Sequence, residues 1–418
     1  MTSSSDSGFT RSRNIRRLQP SATLAVTQEA NRLRAAGEDI IDLSAGEPDF
    51  DTPRVAADAA IRAIQDGKTH YPPNPGILDL RAAAASHLSV LSGGRPVNAD
   101  NIVVSTGAKQ SLFNTCFTLF GPHDSVLIPT PSWVSYPQMI HLARANPVMV
   151  PGDPEFSLKV SVDDLEAASD VNTKGLLLCT PNNPTGAVYT QSELRAIAEW
   201  AHRRNLWVIS DEIYRRIHYA PGPAPSVLDL PDELLSRVVV IYGASKAYAM
   251  TGWRIGLALA PTEVARAIGA LQSHTTSGAN HPAQYAAAVA FSDERVEAEV
   301  KNMVQQFHRR REIVVEYFRE HLPGFEFVEP LGAFYLFFRV DACFGGEIND
   351  GVTFCQRLIA DGGVALVPGE AFGDDRWVRL SFAASEQQIR KALKRLVLFI
   401  NNLRGVKSSE REAGVARQ

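Results

Sequence analysis

The chain has 418 residues, 45% of them hydrophobic, with a formal net charge of −4 and a pI near 6.2. That length suits two domains around a sizeable core, and the slightly acidic balance offers no broad basic surface for nucleic acid or an anionic membrane. Four scattered cysteines (Cys116, Cys179, Cys343 and Cys355) make no metal spacing or disulfide framework, and no apolar run approaches the roughly 18 residues that span a bilayer, so a reducing cytoplasm is the expected compartment.

In chain order, "MTSSSDSGFTRSR" lacks the apolar core of a signal peptide, and residues 1–17 are expected to be a disordered tail. "SATLAVTQEANRLRAAGED" has helical spacing and stops at Gly37, a C′ glycine. "IIDLSAGEPDF" reads as a short strand running into a turn, and Pro53 opens a helix over "RVAADAAIRAIQDG". The Pro/Gly-rich loop "THYPPNPG" carries Tyr71 and precedes the helical "ILDLRAAAASHL". "NIVVSTGAKQSLFNTCFTLF" is strand, glycine turn and helix, with Gly107, Ala108 and Lys109 at the helix's first turn.

The pattern repeats. "DSVLIPTPSWVSYPQMI" is a strand followed by a loop with Trp133 and Tyr136. "KGLLLCTPNNPTG" is a buried strand ending at Asn182 and Asn183, followed by the helical "SELRAIAEWAHRR". "LWVISDEIY" presents Asp211, Glu212 and Tyr214 at its end, and the strand Val238 to Ile241 breaks at Gly243 to deliver Ser245 and Lys246. "LALAPT" follows as a further strand. Strands alternating with helices predict a parallel sheet covered on both faces. From about Ser292 the texture changes to a long charged helix, short strands and the closing helix "SEQQIRKALKRLVLFINNL", with Ser385 and Gln388 spaced as a capping box. The basic run His308 to Arg311 reads as the solvated face of the long helix. The expected division is a large α/β domain over 46–292 and a smaller α+β domain from 18–45 with 293–418.

Ligands of open α/β sheets bind beyond the carboxyl ends of the strands. Reading only strand ends collects Gly107-Ala108-Lys109, Trp133, Asn183, Asp211 with Tyr214, and Lys246 with Arg254. Lysine is nucleophilic only when neutral, and desolvation beside a second cation lowers its pKa. N–H groups opening a helix cradle an anion, and Arg254 adds charge to the same anion. An indole stacks on a flat heterocycle, a carboxylate keeps a ring nitrogen protonated, and a lysine condenses with an aldehyde. The inventory fits pyridoxal 5′-phosphate. Taken singly, each part has a plainer reading: Asp211-Glu212 as a helix N-cap, Trp133 and Tyr71 as packing residues, Asn183 as a turn former, Lys246 and Arg254 as solvated cations. Their joint occurrence at strand ends favours the site. No HExxH spacing occurs among the ten histidines, and no metal is expected.

The motifs "PSAT" at 20–23, "AGEPDFDTP" at 45–53, "GAKQSLFN" at 107–114, "WVSYP" at 133–137, "PNNPTGAVY" at 181–189, "SDEIY" at 210–214, "SKAYAMTGWRIG" at 245–256, "GAFY" at 332–335 and "VRLSFAAS" at 378–385 stand in register. On these the chain resembles the fold-type I, class I/II aminotransferases, in their bacterial aspartate aminotransferase branch. The resemblance runs from about Leu18 to the final helix. It implies that Lys246 holds the cofactor and moves the substrate proton, Asp211 pairs with the ring nitrogen, and Trp133 stacks on the ring. Asn183 and Tyr214 are implied to bind the phenolic oxygen, while Gly107, Ala108, Lys109 and Arg254 surround the phosphate. Tyr71 is implied to reach the cofactor of a neighbouring subunit, which requires a homodimer. Arg379 and Gly46 take the substrate α-carboxylate, and Lys109 with Thr23 faces a distal carboxylate, favouring aspartate and glutamate. Lys109 as a mere support of the phosphate end or a solvent-facing amine, a non-acidic or aromatic substrate, and a lyase of the same fold stay open as alternatives. Members of the branch that also accept prephenate carry a lysine where this chain has Gln19, and Gly243 stands where some subgroups place a phosphate-binding serine. His274 and His281 mark an unusual stretch at 273–284, implied to approach the partner's site.

Overall fold

Runs of Val, Ile and Leu that are apolar at successive positions can be strands only if both faces of the sheet are covered. In the computed structural model, which describes residues 10–20 and 22–403, they are. The 7-stranded sheet runs Ile102–Thr106, Ile255–Leu259, Val238–Gly243, Trp207–Asp211, Thr173–Cys179, Ser125–Thr130, Asn146–Pro151. Val238 and Val240 join one core and Val239 and Ile241 the other; Leu176, Leu177 and Leu178 alternate likewise. One face is covered by Arg54–Gln65, Leu78–Leu91, Gln191–Arg203 and His281–Ser292, the other by Ala108–Leu119, Ser135–Leu142 and Thr262–Ser273.

The pairings are parallel except at Ile255–Leu259, which is antiparallel to both neighbours. The connection over 244–254 is too short for a parallel crossover, so the chain must turn back. That return brings Arg254 to the edge at which Lys246 left the sheet. The edge strand Asn146–Pro151 escapes the sequence reading, because two prolines and an exposed outer side mask it.

A further core gathers Ile41 and Leu43 with Phe307, Phe318, Phe334, Phe338, Leu380 and Leu393. Its strands are Val367–Pro368, Trp377–Ser381, Tyr335–Arg339 and Phe327–Val328, all antiparallel, with Ile41–Asp42 paired in parallel to Val364–Ala365. The helices Ala22–Ala35, Glu294–His321 and Glu386–Leu403 accompany them.

The expected solvated basic run is corrected here. His308 and Arg309 are exposed, but Arg310 and Arg311 are buried on the opposite side of the Glu294–His321 helix. Arg310 makes a bidentate pair with Asp49 at 2.6 and 2.9 Å, and Arg311 meets Glu329 at 2.5 Å and the Pro330 carbonyl at 2.8 Å. A helix packed along much of its length must bury such positions, and buried guanidinium groups require partners. Of the expected tail, residues 1–9 lie outside the described residues, whereas Ile15 and Leu18 donate backbone turn bonds to Ser12 and Ile15. No helix among the described residues is long and apolar enough to cross a membrane.

Candidate active site

The buried strand Val238–Gly243 ends by placing Lys246 inside the protein, where its Nζ donates to the Gly46 carbonyl at 2.5 Å. Burial, the largest influence, pulls this amine down to about 8. Glu47 opposes the shift, Arg379 and Arg254 reinforce it, and Asp211 opposes it last. The strand Trp207–Asp211 ends on a carboxylate 3% exposed. Asp211 Oδ2 accepts from the Tyr136 phenol at 2.7 Å and Oδ1 from the Ile213 N–H at 3.2 Å. Burial raises this carboxyl to about 6 although both hydrogen bonds favour the anion.

The strand Ile102–Thr106 runs into Gly107 at φ +82°, directly before the Ala108–Leu119 helix. The first N–H groups of a helix lack intrahelical carbonyls, and Ala108 and Lys109, which open this one, line the cavity. A Cβ at Gly107 would lie 2.5 Å from the Arg254 guanidinium, and one at Gly256 would lie 2.0 Å from the Ala108 nitrogen. Both glycines are therefore required for the helix start and Arg254 to approach. Arg254 itself has φ +56° and donates to the Thr251 carbonyl at 2.8 Å.

Arg379, on Trp377–Ser381, is 2% exposed. It donates to Asn183 Oδ1 at 2.9 Å and to the Ser44 carbonyl at 2.7 Å, and it lies 4.4 Å from the Tyr335 ring. Its Nε is buried without a hydrogen-bond partner, and no carboxylate among the described residues pairs with it. Burial lowers its pKa. The Tyr335 hydroxyl reaches the Tyr214 hydroxyl at 2.9 Å. Lys109, exposed on the cavity wall, holds its amine 4.8 Å above the Trp133 ring, and desolvation, then Arg254, lowers that amine.

These groups line one cavity of about 400 Å³ together with Thr23, Gly46, Ala108, Trp133, Asn183 and Tyr214. Of the sequence-predicted residues, Gly107 sits behind Ala108, and Tyr71 stays outside the cavity of its own chain, 89% exposed. His281 also stays outside, its Nδ1 3.0 Å from the His70 carbonyl beside Tyr71. Sequence reasoning missed Tyr136 and Tyr335 as cavity groups, along with Glu47, which accepts from Thr251 at 2.8 Å. The three-residue spacing of Trp133 and Tyr136 at a helix start was the available signal for Tyr136.

The family model described as aminotransferase class I and II matches residues 38–396. The aspartate aminotransferase of Geobacillus stearothermophilus is 39% identical over 392 residues, covering 93% of this chain and 98% of that protein. The bifunctional aspartate aminotransferase and glutamate/aspartate-prephenate aminotransferase of Petunia hybrida is 42% identical over 390 residues, covering 91% of this chain and 81% of the relative. Among solved structures, aspartate aminotransferase from Thermus thermophilus with maleate superposes with a TM-score of 0.88 at 37% identity, over 94% of this chain and 100% of that one.

Proposed function

The chain belongs to the class I and II aminotransferase family, and on that premise we propose that it moves an amino group between an L-amino acid and a 2-oxo acid. Aspartate or glutamate is the proposed amino acid, and pyridoxal 5′-phosphate the cofactor. The reading is carried by the cavity that Lys246 and Arg379 share: an amine drawn down to about 8 and a buried guanidinium with an unpartnered Nε. The cavity fits the cofactor by its donor set, since the Ala108 helix start and the Arg254 guanidinium, which Gly107 and Gly256 allow to approach each other, both line it and suit a phosphate.

When bound, the cofactor supplies an aldehyde carbon for amine exchange and a ring that accepts electrons from the substrate Cα. Lys246 would hold it and, once released, would take the proton from the substrate Cα and return it; its burial keeps a useful fraction of the amine neutral near pH 8. Asp211 would hold a proton at the ring nitrogen, and Trp133 would pack against the ring. Ala108, Lys109 and Arg254, with Gly107 allowing their close approach, would hold the phosphate end. Asn183 and Tyr214 would orient the phenolic oxygen.

Arg379 takes the substrate α-carboxylate as an ion pair, which relieves an uncompensated buried charge, and Gly46 offers backbone beside it. Lys109 and Thr23 face a distal carboxylate, in keeping with the maleate named for the Thermus thermophilus structure. Tyr71, exposed and aromatic, is proposed to complete the site of a second copy in a homodimer. The proposed division of labour sets 46–292 as the cofactor-holding unit against 18–45 with 293–418. The chain's four cysteines are buried and form no disulfide among the described residues, in keeping with a reducing cytoplasm.

The test is a half-reaction panel: purified holoenzyme is mixed with single amino acids and the loss of lysine-linked cofactor absorbance is followed. Aspartate and glutamate are expected to be fastest. Arginine or phenylalanine far ahead of aspartate overturns the substrate, and turnover without any 2-oxo acid points to a lyase.

A further inference from the structure

Tyr136 has no role in the reading above, yet its phenol makes the only side-chain hydrogen bond to Asp211 among the described residues, at 2.7 Å. The tyrosine is 1% exposed on the Ser135–Leu142 helix, and its ring stands edge-on to Trp133 with centroids 5.4 Å apart and planes at 82°. One side chain thus touches both the ring proposed to cover the cofactor and the carboxylate proposed to face its nitrogen. We propose that Tyr136 is a positioning residue for amino transfer, which fixes Asp211 in one rotamer and sustains it as an anion toward the cofactor's ring nitrogen. The inference rests on the cavity being the cofactor site.

The physical case is the poverty of Asp211's other support. Four groups face or adjoin it from the packed elements: the Tyr136 phenol, the Cys179 thiol on the adjacent strand, the Lys246 amine on the following loop, and Glu212 beside it in the chain. Glu212 is engaged elsewhere, accepting from Ser226 and Ser210. The Cys179 thiol donates to the Pro181 carbonyl, and burial pushes it toward its neutral form. What remains for the carboxylate is the Ile213 N–H at the longer distance of 3.2 Å. A carboxylate this buried favours its neutral acid unless donors compensate. Tyr136 suits the task because burial and the Asp211 charge drive its own pKa well above normal, so it stays a donor throughout the working range. With the phenol on Oδ2, the carboxylate keeps lone pairs free for the ring nitrogen.

The test loads wild type and Tyr136→Phe with cofactor ¹⁵N-labelled at the ring nitrogen. In the variant the nitrogen resonance is expected to move toward the unprotonated pyridine position. The pH at which the lysine-linked cofactor changes absorbance is expected to rise by about half a unit, and kcat with aspartate to fall about tenfold with KM within about twofold. Reloading both proteins with an analogue that carries C–H in place of the ring nitrogen should erase most of the difference in kcat. An unmoved nitrogen resonance, or a loss that persists with the analogue, assigns Tyr136 to packing and overturns the inference. Wild type that gains no cofactor absorbance at all overturns instead the cofactor reading and takes the inference with it. Where Tyr136→Phe does not fold, 3-fluorotyrosine at position 136, a stronger donor of nearly the same shape, should move the resonance the opposite way; no movement there is equally fatal.

Discussion

Lys246 and Gly46, 200 residues apart in the chain, meet through a 2.5 Å hydrogen bond from the lysine amine to the glycine carbonyl. The contact is one of a row. Ser44 takes Arg379, Glu47 takes Thr251 and Asp49 takes Arg310, so one short segment ties the amine, the guanidinium and the long helix together.

Because burial draws the Lys246 amine to about 8, cofactor-free protein should capture an aldehyde at lower pH than a free lysine, whose pKa is about 10.4. Borohydride trapping of an aldehyde, read by peptide mass spectrometry, is expected to rise through a midpoint near 8. Lys246→Arg should abolish labelling at this position.

Arg379→Gln should lower the second-order rate of the half-reaction by about 10²–10³, through loss of a charge-assisted, two-pronged contact. Arg379→Lys should fare little better, since an ammonium cannot serve Asn183, the Ser44 carbonyl and a carboxylate from one planar fork. Stopped-flow absorbance with aspartate measures both.

Asp211 titrates near 6 in the folded chain without cofactor, against about 3.9 when unfolded. Its contribution to stability is thus fully present below about pH 4 and lost as pH rises through about 6. Cofactor-free Asp211→Asn is expected to melt about 2–4 °C above the cofactor-free parent at pH 8, with the gap closing toward pH 4, while transamination collapses. Scanning calorimetry across that range supplies the check.

Mixing Tyr71→Ala with Lys246→Ala protomers tests the shared site. In the proposed homodimer a mixed pair would bring an intact lysine and an intact tyrosine together in one of its two sites, so activity should return to the extent that mixed dimers form. Absence of recovery after subunit exchange refutes the donation of Tyr71 across an interface.

If Lys109 faces the distal carboxylate as proposed, Lys109→Ala should reduce the preference for aspartate over alanine by about tenfold. Paired kcat/KM values decide it.

Much of this site could be read from the chain, since the strand-end rule turns a one-dimensional list into one rim, and Lys246, Asp211, Asn183 and Arg254 all meet there. What stayed hidden depended on distant partners. The pairing of Arg310 with Asp49 spans 261 residues, and a basic run reads alike whether solvated or buried. Tyr136 and Tyr335 look like ordinary aromatic core until the Asp211 and Tyr214 contacts appear. The antiparallel return at Ile255–Leu259 followed from loop length, which the alternating pattern alone did not weigh.

Crowding around Gly107 and Gly256 also bears on how such a protein diverges. A single methyl added at either glycine meets backbone or guanidinium, so substitution there requires the Ala108 helix start or Arg254 to shift. The rim formed by Thr23, Leu24 and Lys109 is more open, with Leu24 61% exposed. Substitutions at that entrance can therefore accumulate in descendants without disturbing the tight packing around Gly107 and Gly256.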